Sequence, residues 1–140
     1  MIARETKNID EIKSILFDDE IWNRVKADNC NSEFIEDCKY IGCYLDGKIV
    51  GVGMYHQVED FTMCHMNILK EHRKTIGLEF GKEALKHSPS DTLYTNIPEI
   101  FPGIMRYVEA LGFKLVSVVK DAIKKDGKNL SVSIYKLSGV

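Results

Sequence analysis

The 140-residue sequence has no large excess of either charge, no long apolar run and no closely paired cysteines. Nineteen Lys and Arg against 21 Asp and Glu leave a formal net charge of -2, which argues against a nucleic-acid partner held through a strongly basic surface. The longest apolar stretches, such as Lys48 to Tyr55 with its interrupting glycines, fall short of the roughly 18 residues that a membrane-spanning helix needs. The opening MIARETKNID lacks the apolar core of a signal peptide, so the expectation is a soluble, cytoplasmic protein with no membrane partner. Cys30, Cys38, Cys43 and Cys64 form no CxxC pair, which removes the usual zinc-knuckle and redox-dithiol readings. A chain of this length buries an adequate core without staples, so free and mostly buried thiols are expected. His56, His65, His72 and His87 form no HExxH or paired ligand spacing, so no metal is expected. The absence of a Gly-x-Ser-x-Gly elbow and of a phosphate-binding Gly-Lys-Ser/Thr loop removes the common hydrolase and nucleotide triphosphatase classes.

What is present is a regular alternation of short strands and amphipathic helices within a single domain spanning residues 1–140. Ile2 to Glu5 alternates as a strand. Asn8 is placed to cap a helix with Glu11 as the return half of a capping box, and Ile9, Ile12, Ile15 and Leu16 share one face. Asp18 and Asp19 restart a helical piece that ends near Asp28; the Asp18-Asp19-Glu20 run is explained by the helix dipole rather than by paired-carboxylate chemistry. Asn29 to Lys39 is polar and irregular, a candidate loop over a cleft. Tyr40 to Leu45, the Asp46-Gly47 turn and Lys48 to Val58 give the strongest local hairpin signal in the chain. Gly51 and Gly53 mark a bend, a bulge or a close approach on its second arm. After Glu59-Asp60 comes a strand from Phe61 to Leu69, then a helix ending near Ser88-Pro89, a strand at Thr92 to Ile97 and a helix from Phe101 to Leu111 between Pro102 and Gly112. Phe113 to Ile123 and Leu130 to Leu137 form a last hairpin around KKDGKN. The order β-α-α-β-β-β-α-β-α-β-β calls for an α+β, or mixed α/β, domain with a mostly antiparallel mixed sheet and helices on both faces.

That order resembles the GNAT superfamily of acyl-CoA-dependent N-acetyltransferases, and three passages carry the likeness. DGKIVGVGMY looks like the superfamily's central hairpin, HMNILKEHRKTIG like its fourth strand running into the cofactor helix, and RYVEALGF like its penultimate helix ending in Gly-Phe. The set HxxILxEHR, IPE and helix-LGF is similar to short GNAT-like proteins encoded by bacteriophages. The resemblance implies transfer of an acetyl group from acetyl-CoA to a primary amine of a small molecule or a protein. The alternative is a degenerate GNAT-fold phage protein acting as a structural, assembly or protein-binding component. The implied location is the host cytoplasm or the virion, and the implied partners include a second copy of the chain or another phage protein.

In the superfamily a loop of the type Arg/Gln-x-x-Gly-x-Gly/Ala wraps main-chain N–H groups around the cofactor pyrophosphate at a helix start. With His72 in the first position, Thr75 and Gly77 stand where the glycines belong; with Arg73 there, Ile76 and Leu78 do. The residues implied in cofactor binding are Asn67, Ile68 and Leu69 along the pantetheine arm and Arg73, Lys74, Thr75, Ile76 and Gly77 at the pyrophosphate. Lys70, His72, Arg73 and Lys74 also cluster as cations suited to phosphate. The candidate catalytic residues are His65 and Tyr107. His65 alone on its strand titrates near neutrality and can serve as general base, although a hydrogen-bonded core histidine is the competing reading. The superfamily's acid tyrosine stands four residues before the Gly of Gly-Phe, where this chain has Val108. Tyr107 is its neighbour, turned by about 100° along the helix, and can equally be a packing tyrosine. The charge is unevenly spread: the first 40 residues carry ten acids and six bases, whereas Lys114 to Val140 carry six Lys and two Asp, a pattern suited to a contact between subunits or with a protein.

Overall fold

The computed structural model describes residues 1–28 and 37–140. Most of the expected loop Asn29 to Lys39, and Cys30 with it, lies outside the described residues. The elements run β1 Ile2–Thr6, α1 Ile9–Leu16, α2 Asp19–Val25, β2 Lys39–Leu45, β3 Lys48–Val58, β4 Phe61–Ile68, a 3₁₀ turn Lys70–His72, α3 Arg73–Leu85, β5 Thr92–Pro98, α4 Pro102–Ala110, β6 Lys114–Lys125 and β7 Lys128–Ser138. The strands form one sheet in the order β1-β2-β3-β4-β5-β7-β6. It is antiparallel throughout except where β4 meets β5, which the long crossover through α3 makes parallel.

Local chemistry sets most boundaries. The Asn8 side chain accepts the Glu11 N–H at 3.1 Å, but the return half of the box is not made. The Glu11 carboxylate instead accepts the Tyr44 hydroxyl at 2.9 Å, tying α1 to β2. Asp18 caps α2 by accepting the Ile21 N–H, and the helix stops at Val25, three residues before the expected Asp28. Asp46-Gly47 and Asp126-Gly127 both have two successive positive φ angles, the geometry of a two-residue hairpin turn whose twist matches the flanking strands. At the end of α4, Gly112 has φ +103° and the Phe113 N–H reaches the Val108 carbonyl at 3.0 Å, a Schellman closure. On β3, Gly51 follows a register shift opposite Cys43/Tyr44, so the bulge reading holds there.

The sheet has a core on each face. One, containing Tyr55, Cys64, Phe80, Ala84, Leu93 and Tyr135, packs among α3, α4 and the sheet. The other joins Ile12, Ile15 and Ile21 of α1 and α2 to Tyr40 and Val52. Cys43 and Cys64 are buried free thiols and Cys38 is half-buried, with burial pushing Cys64 up to about 12. Among the described residues no helix is long and apolar enough to cross a membrane.

Candidate functional site: the gap between strands four and five

Strands β4 and β5 are joined, among the described residues, at the single pair Met63↔Tyr94. Beyond Met63 towards Ile68 the two strands part, while β4 stays paired to β3 as far as Gly51↔Ile68. The Leu69 N–H donates to Val50 at 2.9 Å. Because main-chain direction alternates along an antiparallel ladder, Met63, His65, Asn67 and Leu69 turn their N–H and C=O towards β3. Cys64, Met66 and Ile68 turn theirs towards the gap. Of the three residues expected along a pantetheine arm, Ile68 turns its main-chain groups to the gap, whereas Asn67 and Leu69 turn theirs to β3. Met66 shares the orientation of Ile68. The Ile68 carbonyl already accepts from Arg73 Nε at 2.9 Å, so the groups offered to the gap are both main-chain groups of Met66 and the Ile68 N–H.

At the end of β4 the chain enters the 3₁₀ turn and then α3. The His72 N–H bonds to Leu69 and the Arg73 N–H to Lys70. Ile76 and Gly77 lie far enough into α3 for their N–H groups to join the helical ladder. That leaves Lys74 and Thr75, both exposed, with N–H groups ahead of the ladder at the positive end of the helix. Thr75 also donates its hydroxyl to the His72 carbonyl at 3.1 Å. Of the five residues expected at the pyrophosphate, Lys74 and Thr75 are thus the two whose N–H groups stand ahead of the ladder.

Gly77 is buried against a different neighbour. The Tyr107 hydroxyl donates to its carbonyl at 2.7 Å, and a Cβ on Gly77 would stand 3.6 Å from Ile68 and 3.9 Å from Tyr107, ordinary contact distances. One turn on, a Cβ on Gly81 would overlap the Tyr107 hydroxyl oxygen and stand 2.9 and 3.0 Å from the Leu111 methyls. Gly77 and Gly81 therefore form a flat stripe on which α4 lies close to α3. Tyr107 braces that contact, and burial pushes its hydroxyl well above the usual tyrosine range.

His65 sits opposite Met54 in the β3–β4 register, and His56 stands opposite Met63. Residues directly opposite share a face, so both imidazoles lie on the side of the sheet that carries α1 and α2. Their Nε2 atoms are 3.1 Å apart and the rings stack with centroids 5.2 Å apart. Burial, reinforced by His56, pushes His65 down to about 4, and burial also lowers His56. At neutral pH the two rings are uncharged and share a hydrogen bond, one ring donating and the other accepting.

Arg73 is held from α2. Its terminal nitrogens form a bidentate ion pair with the two carboxylate oxygens of Glu20, Nη1 at 2.8 Å and Nη2 on the other oxygen. Arg24 stands 4.0 Å from the same carboxylate and over the Phe101 ring at 5.4 Å. His56, Glu20 and Met66 are not among the catalytic or cofactor-binding candidates read from the sequence. Two cavities of about 260 and 440 Å³ lie elsewhere, flanking β6 on linings that share Gly112 and Lys114. Among the described residues no group of three metal-ligating side chains comes together.

A seven-stranded, mostly antiparallel sheet parted between its fourth and fifth strands, with a helix start at the parting, is the fold of the GNAT N-acetyltransferases. Solved structures of that class superpose over almost the whole chain. A spermidine N-acetyltransferase from Vibrio cholerae matches with a TM-score of 0.79 at 13% identity, covering 99% of this chain and 95% of that one. A ribosomal-protein-alanine N-acetyltransferase from Brucella melitensis gives 0.75 at 12% identity, covering 99% of each chain, and an N-acetyltransferase from Staphylococcus aureus Mu50 gives 0.71 at 16%, covering 98% of this chain and 96% of that one. Residues 3–139 match the family described as protein of unknown function (DUF2824), and the chain belongs to it. No curated protein matches the sequence.

Proposed function

We propose that the protein is an acyl-CoA-dependent N-acyltransferase that moves an acetyl group to a primary amine of a small molecule or a protein. The observation that carries this reading is the parting of β4 from β5 after one pair, which turns the Met66 main chain and the Ile68 N–H to the gap. Such an edge suits an extended amide-bearing arm, which would complete the interrupted ladder much as an added strand does. The Lys74 and Thr75 N–H groups, with the ammonium of Lys74, suit the diphosphate at its far end. These residues fit acetyl-CoA, which supplies the activated thioester carbonyl. The neutral histidine pair supplies an acceptor for the proton that the ammonium must lose before it can attack. His65, with its conjugate acid near 4, serves best by passing that proton to His56 or to water. Tyr107 serves as acid for the departing thiolate only by giving up its bond to Gly77.

A specific observation favours a second reading. The Arg73 fork and the Tyr107 hydroxyl are both spent on internal partners, while β6 is an edge strand whose Leu115, Val116, Val118 and Val119 are all exposed. That combination suits a GNAT-fold component, of phage assembly for instance, that binds a second copy or another protein along β6. Calorimetric titration with acetyl-CoA separates the two. Saturable heat supports the transferase, and no heat at millimolar concentration, with no thermal shift, supports the binding component.

A further inference from the structure

Glu20 is a single carboxylate acted on by three cations. Arg73, Arg24 and Lys70 all act on Glu20, and hydrogen bonding to Arg73 leads the effects that hold this carboxyl below its usual range. The Arg73 guanidinium is gripped on two sides that differ in kind. Nε is fixed to the Ile68 carbonyl, on the strand that borders the gap. The Nη1 and Nη2 end is a fork, closed by the two oxygens of Glu20. If Glu20 withdrew, the Nε bond would still hold the guanidinium at the end of β4, with a ready bidentate fork facing outward. That fork matches a phosphate oxyanion as well as it matches a carboxylate. The pair is also displaceable, since both side chains keep about a third of their surface in solvent and pairs of that exposure hold weakly.

We infer that Glu20 is a resident competitor at the cofactor site, a carboxylate that occupies the Arg73 fork until a diphosphate displaces it, and that α2 thereby responds to cofactor binding. This rests on the reading that acetyl-CoA enters the β4–β5 gap. Glu20 lies in the first turn of α2, whose other end is held independently. Lys125 Nζ donates to the carbonyls of Asn23 at 2.9 Å and Lys26 at 2.5 Å, and the Asp28 carboxylate accepts the N–H groups of Asp126 and Gly127 at the tip of the β6–β7 hairpin. Losing the Glu20 contact lets the first turn of α2 shift about its buried Ile21 while its end stays on the hairpin. Trp22, the one tryptophan in the chain, lies on that helix with its indole edge-on to Phe17, ring centroids 5.5 Å apart, so its emission reports the motion.

The test titrates acetyl-CoA into the wild type, Glu20→Gln and Asp19→Asn, following heat and Trp22 emission together. Glu20→Gln should bind about three- to fivefold more tightly, the upper range expected for removing a partly exposed competing pair. Its emission before titration should already resemble that of the loaded wild type. Asp19→Asn removes the neighbouring, exposed carboxylate and should leave affinity within about twofold; an equal tightening there would mean a general field effect and would overturn the inference. Heat with both the wild type and Glu20→Gln, at equal affinity or weaker in the variant, overturns Glu20 as competitor and leaves the acyl-CoA reading standing. No heat with either protein overturns that reading and this inference with it. Should Glu20→Gln fail to fold, Glu20→Asp draws the charge back by one methylene and should also tighten binding; unchanged affinity there overturns the inference.

Discussion

Replacing Gly81 by alanine tests the α3–α4 contact that orients the gap. Its Cβ would overlap the Tyr107 hydroxyl oxygen and crowd both Leu111 methyls at 2.9 and 3.0 Å. Overpacking of this kind costs about 1–3 kcal/mol, and pushing Tyr107 off the Gly77 carbonyl adds about 1 kcal/mol for the lost hydrogen bond. Helix propensity returns about 1 kcal/mol when glycine becomes alanine. The net expectation is a destabilisation of about 1–3 kcal/mol, or roughly 3–9 °C in Tm for a chain of this size, read by urea and thermal unfolding. Gly77→Ala meets nothing closer than 3.6 Å, so only the propensity gain remains and stability should rise by up to about 1 kcal/mol. Tyr107→Phe should be less stable than the wild type by about 1 kcal/mol yet should relieve part of the Gly81→Ala cost when the two are combined, because the overlapping atom is gone. A Gly81→Ala protein as stable as the wild type would refute the close-packed stripe. A large loss of acetyl-CoA affinity in Gly77→Ala would show that this glycine serves the cofactor rather than the helix contact.

Other consequences can be measured separately. His65 falls from 6.5 to about 4 on folding, so the unfolded chain binds the extra proton first. Stability is then full above about pH 6.5 and is lost as the pH falls towards 4, by at most about 3 kcal/mol given the partial exposure of the ring. His65→Gln should flatten that part of the stability profile, and an unchanged profile would remove the histidine pair as its cause. Lys125→Met keeps the aliphatic stem but strips the α2 carbonyls of their donor, and denaturation should show a loss of about 1–3 kcal/mol; no loss would mean that water replaces the ammonium without cost. If β6 pairs with a second copy, the wild type should sediment as a dimer and Val118→Lys as a folded monomer, whereas a wild-type monomer at the same concentration would remove that contact.

The elements fixed by local chemistry were legible in the sequence. Asp46-Gly47 and Asp126-Gly127 announce their hairpins because two successive residues with positive φ need those side chains. Pro102 and Gly112 bracket α4 because one lacks an N–H that the first turn does not use and the other accepts φ +103°. The crossover between Ile68 and Thr92 required parallel strands, as the Met63↔Tyr94 pairing bears out. His56 was within reach of the same reasoning. With two residues in the Glu59-Asp60 turn, Val58 pairs with Phe61, and counting back brings His56 beside His65. That count also separates Met66 from Asn67, since alternation assigns their main chains to opposite sides. Glu20 was not legible. Its neighbours Asp18 and Asp19 make the same local pattern, and only the folding of α2 against the end of β4 selects one carboxylate of three for Arg73. The Gly77–Gly81 stripe was equally hidden, because a lone Gly77 fits a phosphate loop as readily as a helix contact until Tyr107 is seen against it.

Whether the parted edge of β4 and the first donors of α3 hold an acyl-CoA can be read residue by residue. Amide chemical shifts on a ¹⁵N-labelled protein titrated with acetyl-CoA report each of those groups separately. The largest saturable shifts are expected at Met66, Ile68, Lys74 and Thr75, with Asn67 and Leu69 moving less because their N–H groups face β3. Unchanged amides at those four positions at millimolar acetyl-CoA, or shifts confined to the β6 edge, would contradict this expectation.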